Sequence, residues 1–537
     1  MSTRPVTGHT LVRDTTALEV LRDWAPLGPA PRVLMVWPRF PPSFWGFEGM
    51  MRILPEKAVM PPLGLITVAA LCPAPWQLRL VDRAFDTLPD EDILWADLVM
   101  VSAMHAQRAD AWEILARCRA LNRRTIIGGP YASSEPELLL EHADHVVQGE
   151  VDECFTDIAH DLEVGRAKRL YRVTNKPDLT RSPVPRFDLL RLENYASMSV
   201  QFSRGCPFQC EFCDIITIYG RKPRTKTAEQ LIAELDVLRQ FNWRREVFVV
   251  DDNFIGNRRA ALKLVQAIIP WQRRHEYPFI LHTEASIDLA AHPDLMDAMA
   301  EANFMYVFIG VETPSEASLR EALKLQNLRG DSLTHIATIL KRGLWVTAGF
   351  IVGFDSDDAT IFSRQTAFIE QAAIPWAMTG VLQAPPTTAL YERLARAGRL
   401  LPDSDATTNF SAPNFKTKLP TDVLLNGLGQ MLRELYDPER FFARGLRSLE
   451  SWMPHPAQVA PHPSWLYRAR VALSSLWHQG VRSDYRGSYW RFLGTALWRW
   501  RNDPVRLWRA TVLLLSAHHF LCYAQETADD LYQKATP

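Results

Sequence analysis

Ser203-Arg204-Gly205-Cys206-Pro207-Phe208-Gln209-Cys210-Glu211-Phe212-Cys213 follows directly on residues 199–202, an apolar segment that reads as a β-strand. Three thiolates on one short loop can each take one iron of a cubane, leaving a fourth iron without a protein ligand. A structural zinc site is the competing reading. Tetrahedral zinc normally takes a fourth Cys or His close by, and none follows within the next sixty residues. The spacing, the aromatic Phe212 before the last cysteine and the strand-end position favour a [4Fe–4S] cluster on Cys206, Cys210 and Cys213.

Downstream of this loop, strand-like runs recur at 247–250, 279–282, 306–309, 345–350 and 377–382, with helical patterns at 228–240, 258–272 and 293–301 between them. With 199–202 that makes six strands spaced by helices, a partial (βα)6 barrel. Upstream, strands at 33–36, 78–81, 98–101, 125–127 and 144–147 alternate with helices at 63–71 and 109–121. This is the pattern of an α/β, doubly wound, Rossmann-like parallel sheet. Residues 164–192 carry charges and Pro177, Pro183 and Pro185 with little periodicity, and read as a linker. After about residue 400 the strand signal ends and a helical pattern rich in Arg, Trp and Leu takes over. The expected organisation is an extension at 1–30, a Rossmann-like domain at 31–165, a linker at 166–195, a barrel at 196–400 and a helical domain at 401–537.

Composition bounds the function classes. At 537 residues, 47% hydrophobic and 23% charged, the chain has enough apolar content for several cores. A net charge of −1 gives no global footprint for nucleic acid. Met1 to Asp14 holds no apolar run of the signal-peptide kind, and the apolar stretch at 512–515 is soon followed by His518 and His519. The seven cysteines form no disulfide framework and suit the reducing cytoplasm.

The cluster loop resembles that of the radical S-adenosylmethionine (SAM) superfamily. That resemblance implies that SAM chelates the open iron and is cleaved to a 5′-deoxyadenosyl radical. It also implies SAM contacts at later strand ends: Phe212 in the loop, Asp252 in Asp251-Asp252-Asn253, Glu284 and Ser286, Glu312 in Gly310-Val311-Glu312-Thr313-Pro314, and Gly349 and Gly353 in the glycine motif. Each acid has a plainer alternative, the capping of the next helix.

The first sheet resembles the cobalamin-binding domain of class B radical SAM methylases. Its five turns lie at one edge and supply Pro62 and Gly64, Asp82, Met104 and Gln107, Gly128 and Gly129, and Gly149 and Glu150 as candidate cobalamin contacts. The Gly128-Gly129 pair has a tight turn as its alternative. The resemblance departs from mutases, whose Asp, one residue, His, two residues, Gly motif is missing. His105 lies on a fitting loop, but the expectation is cobalt without a protein histidine. Trp45 could pack on the corrin or belong to a core.

The run from Arg204 through Tyr219-Gly220-Arg221-Lys222-Pro223-Arg224-Thr225-Lys226, with the Arg- and Trp-rich tail, resembles a family that includes hopanoid C-2 methylases and bacteriochlorophyllide methylases. This implies methylation of an unactivated carbon of a lipid, tetrapyrrole or other natural product, with methylcobalamin as methyl donor and a flavodoxin- or ferredoxin-type protein as electron source. A cobalamin radical SAM cyclase without methyl transfer and a non-catalytic cobalamin sensor are the alternatives. The basic 220–224 loop reads as an anion contact or a solvated face. The Arg–Trp tail reads as a cap on the barrel, with peripheral membrane contact second.

Overall fold

The computed structural model describes residues 24–401, 408–461 and 463–535, so most of the expected extension at 1–30 lies outside the described residues. The first sheet holds β1 (Arg32–Trp37), β2 (Gln77–Asp82), β3 (Leu98–Ser102), β4 (Arg124–Gly128), β5 (His145–Gln148) and β6 (Leu170–Arg172). All pairs are parallel, in the order β2-β1-β3-β4-β5-β6. Val33 to Val36 of β1 are wholly buried, because helices cover both faces of a central parallel strand. Strand order reverses between β1 and β3, and a doubly wound sheet opens its binding crevice at the carboxyl ends of such a pair.

The sheet has six strands where the sequence predicts five. Leu170–Arg172, inside the stretch read as linker, pairs with β5, Leu170 standing opposite Val146. Three residues beside a charged run carry too little pattern to announce a strand.

The second sheet begins with β7 (Ser197–Val200), after which β8 (Ser203–Arg204) and β9 (Arg224–Thr225) pair antiparallel as a small sheet of their own. The second sheet continues with β10 (Glu246–Val249), β11 (Ile280–Ala285), β12 (Phe304–Glu312), β13 (Trp345–Val352) and β14 (Ala377–Val381). The order β14-β13-β12-β11-β10-β7 winds once in sequence and stays open between β14 and β7, as a partial barrel does. Strand β7 lies two residues earlier than predicted; the Phe202 N–H is taken by the Asp251 carboxylate, at 2.7 Å, rather than by a neighbouring strand.

Backbone pairing and the helical tail are among the connections that join the sheets. The Lys57 and Ala58 N–H groups, on the loop after β1, donate to Asn194 O at 2.8 and 3.0 Å, and Ser197 N–H donates to Val59 O at 2.8 Å. The helical tail makes another, through Thr421–Leu435, Pro438–Ser451, Trp465–Ser475, Arg486–Trp500 and Pro504–Ala535. Its Leu432, Phe441, Leu513 and Phe520 share one apolar core with Trp345 and Phe350 of the barrel. Arg509 is fully buried, its guanidinium 3.6 Å from the Trp345 ring centre and 4.6 and 4.7 Å from those of Tyr306 and Trp376. This cation–π contact seals the tail against the amino-terminal end of the strands. Beyond the barrel the last helix reaches the loop after β1, where Gly49 N–H donates to His519 Nδ1 at 3.3 Å.

Candidate functional site

The cluster loop leaves β7 through a turn that only glycine allows. Gly205 has φ +96°, and a Cβ there would sit 2.7 Å from Gly220 O. The Gly205 N–H donates to Asp252 Oδ2 at 2.9 Å and the Cys206 N–H to Gly220 O at 3.2 Å. On one side Arg204 donates to Glu150 at 3.1 Å and Asp152 at 2.7 Å, and Arg224 grips Glu150 at 2.8 and 3.0 Å. On the other, Glu211 is buried and bound by Arg393. The loop is thus clamped to the first domain, to the end of β10 and to the helix Ala389–Arg396.

The surroundings of the three sulfurs suit thiolate ligands. Asn253 Nδ2 lies 3.9 Å from Cys206 Sγ, and Gln326 Nε2 lies 3.6 Å from Cys210 Sγ. Burial opposes charge on Lys324, but Glu312 and then Cys210 and Cys213 hold its ammonium above the ordinary lysine range. Burial pushes the Cys206 and Cys213 thiols up, so a cationic partner is needed to draw off their protons. Among the described residues no three His, Cys, Asp or Glu close around a single ion. A cubane takes its thiolates on separate irons.

The predicted strand-end residues divide. Asp252 is pushed up to about 7, chiefly by burial, and Glu284 up to about 7 by burial and then by the Asp252 charge, so the two carboxyls face one region. Ser286 is buried; its N–H donates to Asn253 Oδ1 at 3.2 Å and its hydroxyl to Asp288 at 2.5 Å, joining it through Asn253 to Cys206. Glu312, at φ 65°, pairs with Lys324, and a Cβ at Gly310 would lie 2.5 Å from its carboxylate. Half-buried Phe212 meets Phe354 with ring centres 6.2 Å apart. Gly349 leaves room for the Phe308 ring, which its Cβ would meet at 2.8 Å. Gly353, at φ +103°, serves a turn in which its N–H donates to Asp357 at 2.9 Å.

At the carboxyl edge of the first sheet several candidates have internal duties. Asp82 is buried, accepting from Ala84 N–H at 2.9 Å and Tyr195 Oη at 2.8 Å, the latter across the domain junction. Gln107, fully buried, accepts from Met104 N–H at 2.8 Å and donates to Pro38 O, which ties the loops after β1 and β3 together at the switch point. Gly149 is required by the chain itself, since its Cβ would lie 2.2 Å from Val173 O. Glu150 is spent on Arg204 and Arg224. Gly129, at φ +92°, passes against Ser102 and Ala103, and a Cβ on Gly128 would meet Val147 at 3.9 Å.

The same edge is open and apolar. A Cβ at Gly64, beside buried Pro62, would meet nothing within 4 Å. Phe40, Trp45, Met60 and Met104 stand 39%, 43%, 38% and 45% exposed on the loops after β1 and β3. Four large apolar side chains in water around one crevice fit a broad apolar-faced cofactor such as a corrin. His105 is half-buried, its Nδ1 3.9 Å from Glu135 and its ring against Tyr131. Trp45 also meets Phe308 of β12 edge-on at 4.6 Å.

Sequence reasoning assigned no role to Lys324, Gln326, Asn253 or Arg204. The last two lie in quoted motifs; Lys324 and Gln326 sit in an unmarked loop after β12 and offered no signal.

Residues 200–361 match the radical SAM superfamily, and residues 388–533 match a domain of unknown function, DUF4070. An uncharacterized methyltransferase of Synechocystis is 41% identical over 497 residues, 92% of each chain. The hopanoid C-2 methylase of Rhodopseudomonas palustris is 34% identical over 511 residues, 93% of this chain and 94% of that protein. Among solved structures, the radical SAM methyltransferase TsrM of Kitasatospora setae, with cobalamin and a [4Fe–4S] cluster bound, superposes with a TM-score of 0.57 at 14% identity, over 86% of this chain and 98% of that one.

Proposed function

The chain belongs to the radical SAM methyltransferases, and on that premise we propose that it methylates an unactivated carbon of an apolar, ring-built small molecule of the hopanoid kind, using a [4Fe–4S] cluster, SAM and cobalamin. The observation that carries this reading is the Arg204 clamp: its guanidinium holds the cluster loop of the barrel to Glu150 and Asp152 on the turn after β5 of the first sheet. Methyl transfer to a carbon radical needs the radical source and the methyl donor at a fixed separation, and the clamp fixes the two strand-end edges that would hold them.

When bound, the cluster with SAM supplies the hydrogen-abstracting radical and cobalamin supplies the methyl group. Cys206, Cys210 and Cys213 hold the cluster. The Asn253 and Gln326 amides donate towards two sulfurs, and Lys324 offsets thiolate charge. Asp252, Glu284, Ser286 and Glu312 line the SAM side with Phe212 and Gly349, while Gly353 sets the course of the chain. On the cobalamin side Pro62, Gly64, Met104, Gly128 and Gly129 border the crevice, and Asp82, Gln107, Gly149 and Glu150 brace it. His105, already beside Glu135 and Tyr131, is left off the cobalt. Trp45 and Phe308 wall the gap between the sheets with aromatic rings, which suits a flat apolar substrate and excludes water from a radical.

No helix among the described residues is long and apolar enough to cross a membrane. The tail supports contact at a membrane surface instead. Eight of the twenty exposed large apolar side chains among the described residues fall between Trp465 and Trp498, among exposed Arg468, Arg470, Arg482 and Arg486. The four cysteines outside the cluster loop, none in a disulfide, agree with a reducing, cytoplasmic site of action.

The test is an anaerobic assay of cofactor-loaded enzyme against hopanoids and tetrapyrroles, read by mass. One added CH2 unit is expected from a hopanoid, with cluster absorbance and product both lost in Cys206→Ala, Cys210→Ala and Cys213→Ala. An isomer or a dehydrogenated product without added carbon would overturn the methylation reading.

A further inference from the structure

Beside the cluster loop, among the loops that follow β10, β11 and β12, the surface holds an open groove of 490 Å³. Pro207 and Phe208, lying between the first two cluster cysteines, line it together with Ile255. Gly256 lines it as well, and a Cβ there would lie 3.1 Å from Pro223 and 3.3 Å from Pro207, so glycine lets this segment pass close against the cluster loop.

The rim is cationic. Lys222 is exposed, and the Arg258 and Arg329 side chains are 48% and 60% exposed. The one acid in the lining, Asp288, is 6% exposed and answers Arg258 at 3.3 Å and Arg329 at 4.0 Å from beneath, so the outward face stays positive. Arg221 and Arg259, next in the chain, are exposed as well. In a chain of net charge −1 this is a local concentration of charge. An apolar recess ringed by cations is complementary to an acidic protein that presents an apolar tip, and like-signed partners are turned away.

We propose that this groove is the docking site of an acidic one-electron carrier protein of the flavodoxin or ferredoxin class. The inference rests on the radical SAM reading above, because each cleavage of the SAM sulfonium consumes one electron. The carrier loses that electron and the cluster site gains it, with no bond in the carrier made or broken. Pro207 and Phe208 of the cluster loop line the groove, which puts a docked carrier beside the residues that would hold the cluster.

The experiment compares holoenzyme with Lys222→Glu, Arg329→Glu and the neutral Lys222→Gln and Arg329→Gln variants, using an acidic flavodoxin and, separately, dithionite. Flavodoxin binding by calorimetry at low salt is expected to weaken about ten-fold in each reversal and less in the neutral variants, and to weaken with salt in the wild type. The flavodoxin KM for 5′-deoxyadenosine release rises in step, while dithionite-driven release stays within about two-fold, since a small reductant needs no docking. Unchanged binding and KM in the reversals, or no flavodoxin binding to the wild type, overturns the docking site. Equal losses with both reductants also overturn it, as damage at the SAM site. A raised substrate KM with an unchanged flavodoxin KM would make the groove a substrate entrance instead. Wild-type enzyme that fails to cleave SAM even with dithionite would defeat the radical SAM reading, a result distinct from all of these.

Discussion

Glu284 is a carboxyl whose titration should be visible in stability. Burial, and then the Asp252 charge, push it up to about 7 from an ordinary value of 4.5. The folded chain therefore binds this proton more tightly than the unfolded chain does. Its contribution to stability is complete below about pH 4.5 and is lost as pH rises through about 7. In cluster-free protein the Tm of the wild type should fall between pH 5.5 and 8 by on the order of 1–3 °C relative to Glu284→Gln, which has no proton to lose. Parallel Tm curves would show that this carboxyl does not feel its burial. The same residue illustrates what a strand-end acid in a sequence conveys: its place at the end of β11 was legible. Its charged neighbour was not, because Asp252 comes from another strand, 32 positions away in the chain.

At the scale of elements, the Arg204 clamp makes the most specific prediction. The Arg204 side chain is 12% exposed, and its partners Glu150 and Asp152 are 4% and 5% exposed. Removing one member of such a buried set costs about 3 kcal/mol, because the others keep their charge without an answer. Arg204→Gln should lower stability by that order. It should also reduce the ratio of methylated product to 5′-deoxyadenosine, since radicals would form while the methyl donor stands out of register. An unchanged ratio, with both yields measured in one reaction, would refute a positioning role. The helices 63–71, 228–240 and 293–301 were legible to the residue, and each has a local reason. Thr227 and Gln230 cap one reciprocally at 3.2 and 2.9 Å, and Pro62 and Pro293 stand at the starts of the other two. The clamp was not legible, because an ion pair spanning 52 residues leaves no periodic trace. The two sheets followed from alternation alone, and only the three-residue β6 escaped it.

Over the whole molecule, the seven tail tryptophans divide into two sets. Trp452 and Trp500 are buried and Trp508 is half-buried, whereas Trp465, Trp477, Trp490 and Trp498 are 68%, 55%, 49% and 70% exposed. The tail packs on the barrel at the amino-terminal end of its strands and also has an outer face of exposed tryptophans, on which the membrane-contact reading rests. Full-length protein should co-sediment with anionic vesicles in a salt-sensitive way, and Trp465→Ser/Trp477→Ser/Trp498→Ser should reduce the bound fraction several-fold without changing Tm. Equal sedimentation of the two proteins would remove the membrane role.

The hydrogen bond between Gly49 and His519 spans 470 positions of sequence, and a Cβ on Gly49 would lie 2.5 Å from the His519 backbone. At a translation rate of about 5–20 residues per second, the loop after β1 leaves the ribosome roughly 25–90 s before its partner helix exists. Throughout that interval Phe44, which in the finished protein stacks on Phe520, and Phe47, which meets Phe520 edge-on, lack the wall that the last helix supplies. The nascent chain therefore carries an uncovered aromatic segment until the last helix arrives, and sheltering that segment should raise the yield of folded protein in a cell.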